Sequence, residues 1–220
     1  MRAQAYLTPE NRAETIEGWL RKIARQTPPR PHLILDPDRA ALVIIDVQRI
    51  FCEPDGKLFL PAWSAVAGPL REFARAWVSA GRPLAATRHA HPFRDPADPM
   101  MVFYGEVIVR DDPQSALVEG WPADPDCPVF TKKTYDAFVD TDLAAWLKAT
   151  GRTQVVFAGV RTHLCVETTV RSAFVRGFLP FVLADGCADS TGSLHENALV
   201  AMASGCAVVT TIEEVSRTCR

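Results

Sequence analysis

Three side chains far apart in the sequence, Asp46, Lys132 and Cys165, have the chemistry to split an acyl bond between them. A thiolate attacks a carbonyl carbon. A carboxylate takes the thiol proton and returns it to the leaving amine, while an ammonium holds the carboxylate and offsets charge. Cys165 follows the apolar run 154–158 and the breaker Gly159, where a helical pattern opens with Leu164, Thr168, Ala173 and Phe174 on one face. A thiol in the first turn of a helix meets unpaired N–H groups and the positive end of the macrodipole, both of which favour the thiolate. Those N–H groups would also stabilise a tetrahedral oxyanion. Position alone leaves a plainer reading open, since free cysteines are mostly small core residues. Asp46 closes the apolar run 40–47, where a turn or helix-cap aspartate is the alternative.

For such residues to meet, each must end a strand on one rim of a sheet. The run 40–47 is continuously apolar, the pattern of a parallel strand covered on both faces. Further strands are expected over 84–87, 129–131, 154–158, 178–184 and 207–210, alternating with helices over 64–80, 141–148, 194–204 and 212–216. The helix that carries Cys165 ends at Gly177. This alternation predicts an α/β fold, a three-layer α/β/α sandwich around a six-stranded, mostly parallel, doubly wound sheet. The C-terminal ends of parallel strands share one rim, where such folds place their ligands. Residues 92–128, rich in proline and aspartate, predict a long loop region that walls a pocket, with a short strand over 106–109.

Ahead of this unit, residues 1–37 read as an arm. Thr8-Pro9-Glu10 opens a helix to about Arg25, with Thr8 as cap and Pro9 first, and Ile16, Leu20 and Ile23 at helical spacing. Pro28-Pro29-Arg30-Pro31 then makes a stiff connector. The arm has two possible resting places, its own domain or a neighbouring subunit. Residues 38–220 form the main domain.

The 220 residues are 48% hydrophobic and 23% charged with a net charge of −2, which fits one globular core and gives nucleic acid or an anionic membrane no electrostatic hold. No apolar run has the length of a membrane span and the N-terminus is not signal-like, so a cytoplasmic protein is expected. Cys52, Cys127, Cys165, Cys187, Cys206 and Cys219 lack CxxC spacing, which favours reduced thiols over disulfides or zinc. His89 and His91 offer two metal ligands, but the next histidine is His163, so neither a metal nor another cofactor is expected.

Three stretches carry a resemblance: Ile44-Ile45-Asp46-Val47-Gln48, Thr131-Lys132-Lys133-Thr134-Tyr135-Asp136-Ala137-Phe138, and residues 158–169 around Arg161-Thr162-His163-Leu164-Cys165. Over residues 38–215 the chain resembles the isochorismatase-like cysteine hydrolase superfamily, which includes nicotinamidases, N-carbamoylsarcosine amidase, ureidoacrylate hydrolases and isochorismatases. The resemblance implies an Asp46–Lys132–Cys165 triad and selects Lys132 over Lys133. It also implies a cis peptide between Val160 and Arg161, and an oxyanion hole from the N–H groups of Arg161 and Cys165. The flanks, including Ala188-Asp189-Ser190, look most like the isochorismatase branch. Isochorismatases, however, lack a cysteine at the nucleophile position and carry Gln in place of His89, and nicotinamidases carry a metal-binding Asp near there.

The leading expectation is a hydrolase that cleaves the C–N bond of a small amide through a thioester. The alternatives are an isochorismatase-type vinyl-ether hydrolase, with Asp46 as acid and Cys165 incidental, and a catalytically silent binding module. Gln48, Arg88, His89, Arg161 and His163 are the expected substrate-binding residues, with Arg94 close by in the loop. Arginine can grip a carboxylate through two parallel hydrogen bonds, so a carboxylate-bearing substrate is expected. The stiff arm, the five tryptophans and the family resemblance predict a homo-oligomer, a dimer or a tetramer.

Overall fold

The computed structural model describes residues 3–122, 124 and 126–219. Strand β1 (Ala40–Ile45) is buried along its whole length and lies at the centre of one sheet. On one side it pairs with β2 (Leu84–His89), which pairs with β3 (Val129–Lys132). On the other lie β4 (Gln154–Val160), β5 (Leu179–Ala188) and β6 (Val208–Thr210), giving the order β3-β2-β1-β4-β5-β6 with every pairing parallel. The chain leaves β1 toward β2 but leaves β4 toward β5, the opposite direction. Right-handed crossovers therefore place the two sets of connecting helices on opposite faces.

The helices are α1 (Arg12–Gln26), α2 (Arg49–Cys52), α3 (Trp63–Ser79), α4 (Pro99–Tyr104), α5 (Leu143–Ala149), α6 (Glu167–Val175), α7 (Gly192–Gly205) and α8 (Ile212–Thr218). α1 and α6 both pack on α7, while α3 packs on α8. The result is a three-layer α/β/α sandwich. Its switch point, where neighbouring strands send their connections opposite ways, lies between β1 and β4. Gly159 permits the closeness there: its φ is 119°, and a Cβ would collide with the Ile45 carbonyl oxygen.

Four local expectations need correction. The arm's helix starts at Arg12 rather than beside Pro9, because Thr8 and Asn11 first exchange hydrogen bonds (Asn11 Oδ1 from Thr8 N at 2.8 Å, Thr8 Oγ1 from Asn11 N at 3.4 Å). Residues 106–109 make no strand; only Val109 bridges, to His91. The loop region instead holds α4, capped by Asp98, opened by Pro99 and closed by Gly105 at φ 74°. Finally, Phe174 does not share the buried face of the Cys165 helix, which is formed by Thr169, Val170 and Ala173.

The arm rests on its own domain. Leu7, Ile16 and Trp19 join the core, and Arg12 pairs with Asp185 at 2.7 Å. No helix is long and apolar enough to cross a membrane among the described residues.

Candidate active site

β1, β3 and β4 end on the same rim, and the residues that end or follow them point toward one another. Asp46 turns off β1 with φ 50°, a left-handed conformation that aspartate tolerates better than most residues. Thr87 of β2 fixes it twice, accepting from Asp46 N at 3.1 Å and donating to Asp46 Oδ1 at 2.6 Å. The other carboxylate oxygen, Oδ2, lies 2.7 Å from Lys132 Nζ in a fully buried ion pair.

Lys132 ends β3 with its ammonium fully buried. Besides Asp46, the Nζ reaches Thr134 O at 3.0 Å, Cys165 Sγ at 3.2 Å and His89 Nδ1 at 3.4 Å. Lys133 turns the other way, exposed, with Asp140 at 3.9 Å. Strand alternation accounts for the difference, since consecutive side chains leave a strand on opposite faces.

Cys165 sits in a single π-type turn, Thr162–Val166, ahead of α6. The expected first turn of an ordinary α-helix is thus replaced by a wider one, which Val166 N closes on Arg161 O at 3.2 Å. The peptide between Val160 and Arg161 is cis.

Burial sets the charge state. It raises the Cys165 thiol most, Asp46 adds to that, Lys132 opposes it, and the result is pushed up to about 12. Desolvation thus works against the thiolate that a helix end favours. Burial also works against the charge on Asp46, yet the nearby ammonium of Lys132 and the Thr87 hydroxyl hold its carboxyl below the ordinary range. For Lys132 the balance tips likewise toward charge, with burial opposed by Asp46 and Cys165. His89, lowered first by burial and then by Lys132 to about 4, is neutral near pH 7. The resting rim is thus carboxylate, ammonium, thiol and neutral imidazole.

Ligand atoms of Asp46, His89 and Cys165 lie within 4.8 Å of one another, close enough to hold a metal ion. The Lys132 ammonium, however, stands within 3.4 Å of all three residues. The cation this cluster holds is the protein's own lysine, and a metal does not fit beside it.

A cavity of about 230 Å³ opens over the sulfur, lined among others by His89, Arg94, Tyr104, Tyr135, Arg161 and Cys165. Of the five expected substrate-binding residues, only His89 and Arg161 reach it. Gln48 spends its amide on His89 N, His89 O and Ser115 O, and so fixes the end of β2. Arg88 is taken up by Ser115 and the Arg110 carbonyl, and His163 by Asp189. Sequence reasoning missed Thr87, Tyr104 and Tyr135. A hydroxyl inside the apolar strand 84–87 was the only signal for the first.

An all-parallel α/β sheet whose switch-point rim gathers a carboxylate, an ammonium and a thiol beneath a small cavity has the form of a hydrolase. The model described as Isochorismatase domain matches residues 40–214, so the chain belongs to the isochorismatase family. Phenazine biosynthesis protein PhzD1 of Pseudomonas aeruginosa is 32% identical over 182 residues, covering 82% of this chain and 86% of that protein. Nicotinamidase 3 of Arabidopsis thaliana is 33% identical over 184 residues, covering 81% and 87%. Among solved structures, a cysteine hydrolase from Pseudomonas syringae pv. phaseolicola superposes with a TM-score of 0.81 at 25% identity, covering 87% of this chain and 97% of that one.

Proposed function

We propose that the protein is a cysteine hydrolase that cleaves the C–N bond of a small amide through a thioester on Cys165. One observation supports this reading above the rest: the Lys132 ammonium stands between the other two groups, 2.7 Å from Asp46 Oδ2 and 3.2 Å from the Cys165 sulfur. As the sulfur attacks the carbonyl carbon, its proton passes to Asp46, and the Lys132 ammonium stabilises the thiolate as it forms. The N–H groups of Arg161 and Cys165 receive the oxyanion. Collapse expels the amine, which takes the proton from Asp46 and leaves a thioester. Water then attacks, giving its proton to Asp46, and the departing sulfur recovers it.

The charge state favours this over vinyl-ether hydrolysis. An Asp46 held below the ordinary carboxylate range is ionised at rest, so it has room for the thiol proton and none of its own to give a vinyl ether. The intact set argues against a silent binding module. The cavity, about 230 Å³, suits a small molecule, and Arg94 and Arg161 at its wall favour a carboxylate on it. Six free thiols support a cytoplasmic setting. The exposed apolar side chains of Val102 and Phe103 support a homo-oligomer.

Ammonia release from a panel of small amides tests the reading. Cys165→Ser is expected to fold normally and to lose at least about 10²-fold in kcat, since a hydroxyl gives up its proton far less readily than a thiol. Iodoacetamide should abolish the same activity. Ammonia release that survives both would sink the thioester mechanism, and a panel that yields no ammonia at all, with vinyl-ether hydrolysis spared by iodoacetamide, would favour the alternative.

A further inference from the structure

Residues Arg161, Thr162 and His163 make the step from β4 into the turn that carries Cys165, and each is tied to a support behind it. Arg161 places Nε 3.4 Å from Asp189 Oδ1 and donates from Nη2 to Ser190 Oγ at 2.6 Å. Thr162 Oγ1 lies 2.8 Å from His195 Nδ1. His163 contacts Asp189 Oδ2 twice, through its backbone N at 2.8 Å and its ring Nδ1 at 2.5 Å. Asp189 and His195 are both fully buried.

These supports end in the N-terminal arm. Asp189 N donates to the Tyr6 hydroxyl at 2.9 Å, and Gln4 N donates to Ser190 O at 2.8 Å. The His195 ring lies against Trp19, centroids 4.3 Å apart, and against Tyr6 at 5.7 Å. Gly192 leaves room for Tyr6, because a Cβ there would stand 3.2 Å from its side chain.

Asp189 needs an explanation of its own. A carboxylate at zero exposure is costly unless it is paired. It does not cap α7, which Thr191 does. Its partners are the Arg161 guanidinium, the two nitrogens of His163 and Ser190 N. Apart from Ser190, every one of them belongs to the turn that leads to the nucleophile.

We propose that Asp189 is a positioning residue for acyl transfer, holding Arg161 and His163 so that the nucleophile's turn is preformed, with Tyr6 of the N-terminal arm as its backing. This rests on the reading of Cys165 as an acyl-accepting nucleophile. Asp189 touches neither the sulfur nor the cavity; it acts through the backbone it holds.

Two reactions of Cys165 separate positioning from general damage. Alkylation by iodoacetamide needs only the sulfur and its Asp46–Lys132 surroundings. Acetylation by p-nitrophenyl acetate also needs the oxyanion site: the sulfur bonds to the carbonyl carbon, its proton passes to Asp46, and p-nitrophenolate leaves. Both are followed at Cys165 by peptide mass spectrometry on the full chain. Asp189→Asn, nearly isosteric, should slow acetylation about tenfold or more, because displaced donors cost most where charge develops. Tyr6→Phe, which removes one hydroxyl, should slow it about fivefold, the worth of a single hydrogen bond. Alkylation in both variants should stay within about twofold.

Should Asp189→Asn fail to fold, Tyr6→Phe decides alone. Acetylation that stays at the wild-type rate overturns the proposal. So does a parallel loss of both reactions, which would mark the network as merely structural. Wild-type protein that is never acetylated at Cys165 would instead sink the nucleophile reading itself, and this inference with it.

Discussion

The floor of the cavity and its outer wall are built on opposite terms. The floor consists of Asp46, Lys132 and Cys165, at 0%, 2% and 7% exposure, each delivered at or just past the end of a parallel strand. The wall runs through residues 92–112 and α4, where Val102 and Phe103 are 70% and 79% exposed. On the floor, Lys132 stands 2.7 Å from Asp46 and 3.2 Å from Cys165 out of water, so each side chain bears on the ionisation of the next. At the wall, contacts are few and water is close, and a change there moves little beyond itself. On the proposed mechanism the floor sets which reaction is possible, and the wall sets which molecule undergoes it.

Two adjacent lysines give the sharpest way to break that contrast. Lys132→Ala leaves the Asp46 carboxylate buried without its ammonium, a loss of about 3–5 kcal/mol in stability. It should also lower kcat by about 10²–10³, the worth of a charge placed where the thiolate forms. Lys133→Ala, one residue further and facing solvent, should leave both within error, as exposed pairs contribute roughly 0–1 kcal/mol. Thermal unfolding and ammonia release measure the two effects. A Lys133 requirement would place the floor in the wrong register.

The pH profile probes the same boundary. A thiol ionised by solvent would make kcat/KM climb throughout the range toward the Cys165 value of about 12, whereas transfer to Asp46 predicts a flat profile from about pH 5 to 9. Stability should behave differently. His89 and His195 are lowered, by burial first, to about 4. The unfolded chain protonates these histidines near pH 6.5 and the folded one resists until about 4. Their contribution is thus fully present above about pH 6.5 and is lost as pH falls, on the order of 3 kcal/mol each by pH 4. Asp46 does not contribute in this window, because its stabilisation fades only below the ordinary carboxylate pKa. Melting temperature should fall between about pH 6.5 and 4 while kcat per folded molecule holds over its upper part. A melting temperature unchanged across that window would mean the two histidines are not buried neutral.

The same division explains what could be read from residues alone. The convergence of Asp46, Lys132 and Cys165 was legible because period and breakers mark strand ends, and parallel strand ends share a rim whatever the loops do; the choice of Lys132 over Lys133 came from the family resemblance. The sheet was legible for the same reason: β1, β2 and β4 are apolar runs with clear stops. α4 was not, although its signals were present: Asp98 before Pro99 and Gly105 after Tyr104 form a cap, a first position and a stop. Its six residues are too few for a periodic face, so density of proline and aspartate dominated the reading. The roles of Gln48, Arg88 and His163 were hidden for another reason. Hydrogen-bond partners such as Ser115 and Asp189 are set by tertiary contact, and nothing in local spacing points to them. The π-type turn at Thr162–Val166 was equally silent, because its pattern is that of a helix start.

The smallest effect belongs to the wall, and Arg94 is where it should appear. Lys57 is paired with Glu106 and Arg161 with Asp189, but Arg94 lines the cavity without an ion pair among the described residues. A guanidinium with a free fork is a ready partner for a carboxylate on the substrate. Because the side chain is exposed, solvent screens the attraction to about 1 kcal/mol, or roughly fivefold in binding. Arg94→Ala should therefore raise KM for an amide acid about fivefold at unchanged kcat, with its methyl ester unaffected. The comparison needs both substrates, since a loss shared by acid and ester would mean that the wall had lost shape rather than charge. If wild-type protein hydrolyses the ester as well as the acid, no carboxylate is being recognised, and the wall is better described as an apolar rim formed by Leu58, Met100 and Ile108.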